Sequence, residues 1–139
     1  MIFEAGSTPL GPVIAVREFT ARRARRKVPV TVRIGTPYPR PTGEWACPFE
    51  VTGLGRKRLR HCFGFDAFQA LQLVPQAIRA ELQKDGANVT WLGLDLEVVL
   101  PRPVPAITPA QAVRLNTLIE KELARFLRVA ERRFTRSRA

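Results

Sequence analysis

Residues 44–83, EWACPFEVTGLGRKRLRHCFGFDAFQALQLVPQAIRAELQ, read as strand, glycine-bounded hairpin, strand and capped helix without a break. A strand pair that hands directly to an amphipathic helix buries one sheet face under that helix, which places the chain in the α+β class. Trp45, Cys47, Phe49 and Val51 alternate onto one face of the first strand, and Leu59, His61, Phe63 and Phe65 onto one face of the second. A two-residue turn at Leu54 and Gly55 would set Val51 against Arg58 and Phe49 against Arg60, apolar side chains against charges. A three-residue connection, Leu54 to Arg56, instead sets Val51 on Leu59, Phe49 on His61, Cys47 on Phe63 and Trp45 on Phe65, with Glu50 facing Arg60 outside. Cross-strand matching therefore favours the second register. In it the two cysteines lie on opposite faces of the sheet, a geometry that excludes a disulfide between them.

Asp66 reads as a helix N-cap, and Gln69 completes a capping-box pattern. Ala67, Leu71, Val74, Ile78 and Leu82 make the apolar stripe of that helix. Pro75 removes one backbone hydrogen bond and crowds Leu71, which predicts a kink near residues 71–74 or a helix in two pieces.

Upstream, residues 13–22 read as a strand, and Val28, Val30, Val32 and Ile34 alternate with Pro29, Thr31 and Arg33 as a second half-buried strand. Pro29 cannot donate to a ladder and belongs near an edge, a strand start or a bulge. Downstream, VTWLGLDLEVVL is expected to return to the sheet. Three prolines in LPRPVPAI then imply a stiff, extended connection over residues 101–108. Thr108, Pro109 and Gln111 mark a second helix start, and Leu115, Ile119, Leu123, Phe126, Ala130 and Phe134 give that helix an apolar stripe. At 1.5 Å per residue, residues 109–134 would span ~39 Å, longer than a small sheet can cover. The expected organisation is an α+β domain over residues 1–100: an antiparallel meander sheet of four or five strands with one packed helix. The proline-tethered, basic amphipathic helix of residues 109–139 is either part of the same domain or a partner-binding arm.

The chain of 139 residues carries 23 basic and 12 acidic side chains, a formal net charge of +11. Such a field attracts nucleic acid, an anionic surface or an acidic protein. Nineteen of the cations are Arg and four are Lys, beside abundant Ala, Leu and Pro, so compositional bias is the competing explanation. Distribution bears on the choice. Arg22, Arg23, Arg25, Arg26 and Lys27 form one cluster, Arg56, Lys57, Arg58 and Arg60 a second, and six arginines from Arg125 to Arg138 a third, including Arg128, Arg132 and Arg133. In an up-and-down meander the first two clusters are connections at the same end of the sheet, and guanidinium forks suit phosphate. Solvated hairpin tips also take Arg and Lys without binding anything. Aromatic residues that would stack unpaired bases are missing from these tips, so backbone contact is the expected mode for nucleic acid.

Catalytic constellations are harder to find. His61 is the single histidine, on the expected core face, and one His with two separated Cys cannot close a zinc site. Cys47 between Trp45 and Phe49 reads as a small buried hydrophobe rather than a nucleophile. Gly53-Leu54-Gly55 lacks the strand-to-helix setting of a phosphate loop, and capping accounts for Asp66. No catalytic residue, cofactor or metal is expected, and an enzyme is disfavoured. The first residues, MIFEAGSTPLGP, lack a secretory pattern, and no apolar run approaches the ~20 residues of a membrane span, so a cytoplasmic protein is expected.

Trp45-x-Cys47-Pro48-Phe49, Gly53-Leu54-Gly55, Gly64-x-Asp66-Ala67-x-Gln69-Ala70-Leu71-Gln72 and Trp91-Leu92-Gly93 together resemble a family of small bacterial domains of unknown function. The resemblance covers about residues 13–93 and brings no activity with it. Pro75 departs from the small or aliphatic residue expected there, and the second helix lies outside the resemblance.

Two functional expectations follow. One is a non-enzymatic basic module that contacts nucleic acid or another polyanion through its Arg clusters. The other is a protein-interaction module, such as an immunity or antitoxin-like partner or a subunit of a bacterial complex. It would form a homodimer or hetero-complex through Leu115, Ile119, Leu123 and Phe126.

Overall fold

Period-two alternation carries the chain through β1 (Val13–Arg23), β2 (Arg26–Gly35), β3 (Tyr38–Pro39), β4 (Trp45–Thr52) and β5 (Arg58–Gly64). The chain continues through helix α1 (Ala67–Gln83), β6 (Asn88–Trp91), β7 (Leu94–Asp95) and the single turn α2 (Leu96–Val99). The computed structural model describes residues 9–84, 86–100 and 108–136. The chain divides into two units, Met1–Arg102 and Pro103–Ala139, and the second contains α3 (Pro109–Arg136). The proline-rich connection expected at residues 101–108 lies, but for Thr108, outside the described residues.

The sheet is antiparallel throughout. β1, β2, β4 and β5 form the expected meander, β3 continues the edge of β2 along β4, and β6 returns to pair with β1 on its far side, followed by β7. Of the expected returning segment, residues 88–91 join β1, whereas Leu96 to Val99 coil into α2 so that Leu96 and Leu100 reach the core.

One face of the sheet is covered by α1. Phe19, Ala21, Val30, Val32, Cys47, Phe49, Val51, Cys62 and Val89 meet Ala70, Val74, Ala77, Ile78 and Leu82 of the helix. Burying a side chain of the size of Phe49 contributes roughly 2 to 3 kcal/mol. Gly64 is where this packing is tightest: a Cβ there would stand 2.5 Å from the backbone nitrogen of Ala70. Asp66 caps α1 by accepting from the Gln69 amide at 2.7 Å, while the Gln69 side-chain oxygen accepts from the Phe65 amide at 2.7 Å. The helix passes through Pro75 as one 17-residue element rather than dividing into two. Pro75 is exposed, so its missing donor falls on the solvent side.

The β4–β5 register departs from the expectation by one residue. Val51 stands opposite Arg58, Glu50 opposite Leu59, Phe49 opposite Arg60, Pro48 opposite His61 and Cys47 opposite Cys62. Since side chains alternate, the slip moves all of β5 to the other face: Arg58, Arg60, Cys62 and Gly64 lie toward α1, and Leu59, His61 and Phe63 away from it. The two cysteines therefore share a face as direct neighbours, and the exclusion of a disulfide by geometry falls. Phe65, expected in the core, is 90% exposed. The charges that argued against this register are met by the helix. Glu81, 3% exposed, accepts from Arg60 Nε at 3.1 Å and lies 3.7 Å from Arg58, with Lys84 a third partner. β5 is an edge strand, so the arginine stems cover apolar surface while their heads reach one buried carboxylate. His61 is packed, as expected, but on the face opposite Phe49, with Tyr38 edge-on at 6.2 Å and Phe63 stacked at 6.5 Å.

Candidate polyanion-binding rim

β1 and β2 close through a two-residue turn at Ala24 and Arg25, with Arg23 opposite Arg26 and Arg22 opposite Lys27. Ala24 adopts φ +52°, a left-handed conformation that costs a non-glycine residue about 1 kcal/mol. The β4–β5 connection, residues 53–57, lies at the same end of the sheet. Gly53, at φ +107°, has room for no Cβ, which would stand 2.2 Å from the carbonyl oxygen of Pro29. This close approach seats the second tip against the base of the first. The C-terminal turn of α1 reaches the same rim, where Arg58 donates to the Glu81 carbonyl at 3.3 Å and offsets the negative helix end.

The expected cations separate into two groups. Arg58 and Arg60 are half-buried and held by Glu81, and Lys57 is 2.8 Å from Glu50, which also accepts from Arg33 at 3.3 Å. These three consolidate the fold. Arg22, Arg25, Arg26, Lys27 and Arg56 are exposed and have no carboxylate within ion-pairing distance among the described residues. Arg23 is exposed beside them.

On the face away from α1 the strands align Asn88, Arg22 and Lys27 in one cross-strand row, and Asp95, Thr90, Thr20 and Pro29 in the next. Between these rows lies a hollow of about 390 Å³ lined by Thr20, Arg22, Lys27, Asn88, Thr90 and Gly93. It combines two cations, two hydroxyls and a carboxamide, and no acid lines it. Such a set can neutralise and hydrogen-bond an oxyanion. Like charges directly opposite in a ladder destabilise a hairpin by up to about 1 kcal/mol. Here Arg22 stands directly opposite Lys27.

Sequence reasoning located Arg22 and Lys27 but not Thr20, Asn88 or Thr90. The signal for the last two was the alternation in NVTW, which sends Val89 and Trp91 toward α1 and Asn88 and Thr90 to the other face; what it did not identify was β1 as the partner strand. Trp91 in turn carries the guanidinium of Arg17 at 4.3 Å from its ring centroid.

In α3, Thr108 and Gln111 form the reciprocal capping box, Gln111 N to Thr108 Oγ1 at 3.2 Å and Thr108 N to Gln111 Oε1 at 3.1 Å. Arg128 and Arg132 share one arc of roughly 80° with Arg114, Lys121, Arg125 and Arg136, at ~100° of turn per residue. Arg133 stands apart from them, beside the apolar stripe. Leu115 is half-buried, whereas Ile119, Leu123 and Phe126 are exposed.

Among the described residues, no group of three or more His, Cys, Asp or Glu is placed to hold a metal ion, and no helix is long and apolar enough to cross a membrane. Residues 15–101 match the family described as a domain of unknown function (DUF6968), and the chain belongs to that family. No curated protein and no solved structure matches it.

Proposed function

We propose that this member of the family is a non-enzymatic binding module that holds a phosphate-bearing polyanion, nucleic acid backbone foremost, on the rim built by its two hairpin tips. The observation that carries the reading is the row Asn88, Arg22, Lys27 lining a hollow without an acid, with Arg25, Arg26 and Arg56 exposed on the two tips. Repulsion within the ladder is relieved when an anion bridges Arg22 and Lys27. Phosphate contact positions a backbone without reading bases, in keeping with the lack of exposed aromatic residues on the tips.

The test is a salt series with mixed-sequence DNA and RNA on the full chain. Binding should fall steeply as salt rises, and Arg22→Ala with Lys27→Ala should flatten the log–log slope by about 2, close to one unit per phosphate contact removed. No complex with either nucleic acid at low ionic strength would refute the reading.

A further inference from the structure

We infer that α3 pairs with α3 of a second copy of this chain, antiparallel, through its apolar stripe. Ile119, Leu123, Phe126, Leu127 and Phe134 are between 44% and 72% exposed, and no residue of α3 is buried. An isolated helix of this kind is marginal in water unless its apolar face is covered. The stripe is close to its own mirror about Leu123. In an antiparallel pair Leu123 meets Leu123, Ile119 meets Phe126, Leu115 meets Ala130 and Ala112 meets Phe134, so the small residues of one helix receive the large ones of the other. A parallel pair would stack Phe134 on Phe134 and leave Ala112 facing Ala112, a clash at one end and a void at the other.

Charge selects the same arrangement. Residues 123–136 hold five arginines and one glutamate, whereas residues 109–122 hold two cations and two acids. Antiparallel pairing sets each basic half against a neutral one; parallel pairing would bring the two basic halves together. Glu120, Glu122 and Glu131 flank the stripe, where an anionic lipid surface would place its headgroups, and this argues for a second copy over a membrane. The pairing also leaves the ridge of Arg114, Lys121, Arg125, Arg128, Arg132 and Arg136 facing outward on both helices.

The experiment is light scattering on the full chain across a wide range of concentration, with Leu123→Glu as the variant. The wild type should shift from monomer to dimer with concentration and Leu123→Glu should remain monomeric, with circular dichroism showing that its sheet-containing unit is intact. Orientation is read by a bismaleimide linker on mixed Ala112→Cys and Phe134→Cys chains, because the native thiols are buried. Cross-links between the two variants are the expected product. A wild type that stays monomeric, a Leu123→Glu variant that stays dimeric, or Ala112→Cys chains that link chiefly to one another would each overturn the inference.

Discussion

Cys47 and Cys62 stand directly opposite one another across β4 and β5, each with no exposed surface, and Cys47 directs its thiol to the Gly35 carbonyl at 3.6 Å. Antiparallel neighbours have Cα atoms ~4.5 to 5.5 Å apart, within the range a disulfide spans, yet both residues are free thiols. Burial, not distance, keeps them inert. It pushes Cys47 from the ordinary 9.0 up to about 11, and burial with the neighbouring Cys47 pushes Cys62 to about 12.

A pH dependence follows from that shift. The folded state keeps both thiol protons at pH values where the unfolded chain has released them, so the unfolded state binds fewer protons and stability falls as pH rises. The contribution is whole below about pH 9 and declines toward pH 11 to 12. Thermal unfolding between pH 8 and pH 11 should show a downward slope that a Cys47→Ala, Cys62→Ala variant loses in part. A thiol reagent should label neither cysteine in the native protein and both after denaturation.

Glu81→Gln should be among the most damaging single substitutions at the β5 edge. It keeps the shape of the side chain and leaves Arg58, Arg60 and Lys84 around a neutral amide in a site where the carboxylate is 4% exposed. Breaking a buried pair from one side costs about 3 kcal/mol. Urea unfolding of the two proteins measures it, and a loss below the scatter of surface substitutions would show that water, not Glu81, balances these arginines.

Gly53→Ala probes the seat of the second tip. The added Cβ meets the Pro29 carbonyl and the backbone φ of +107° disfavours any side chain, which together should cost about 3 kcal/mol. If the tips bind polyanion as one rim, the variant's affinity should fall even where the protein remains fully folded, as read by binding at a temperature well below its unfolding transition.

Much of the fold was legible because its periodic signals are local. The meander, the capping boxes at Asp66 and Thr108, the apolar faces of β2 and β4 and the long second helix all come from spacing along the chain. The β5 register was not legible for a reason located at Glu81. Matching apolar residues across β4 and β5 assumes that arginine avoids the core face, and a glutamate 21 residues beyond Arg60 reverses that assumption. The candidate site was legible in its cations alone. Arg22 and Lys27 announce themselves by charge, whereas Thr20, Asn88 and Thr90 become part of a hollow only when β6 pairs with β1, a contact between segments nearly 70 residues apart.

The arginines of β5 also bear on how the molecule behaves in a crowded solution. An outermost strand offers a row of unsatisfied amides and carbonyls to any extended chain that passes, and an apolar strand there would recruit copies of itself into growing ribbons. Arg58 and Arg60 are fixed on that strand by the helix, so a recruited chain would have to displace a buried ion pair or align its own residues against cations already committed. The ionic contact that decides the register thus also guards this edge against pairing with further chains.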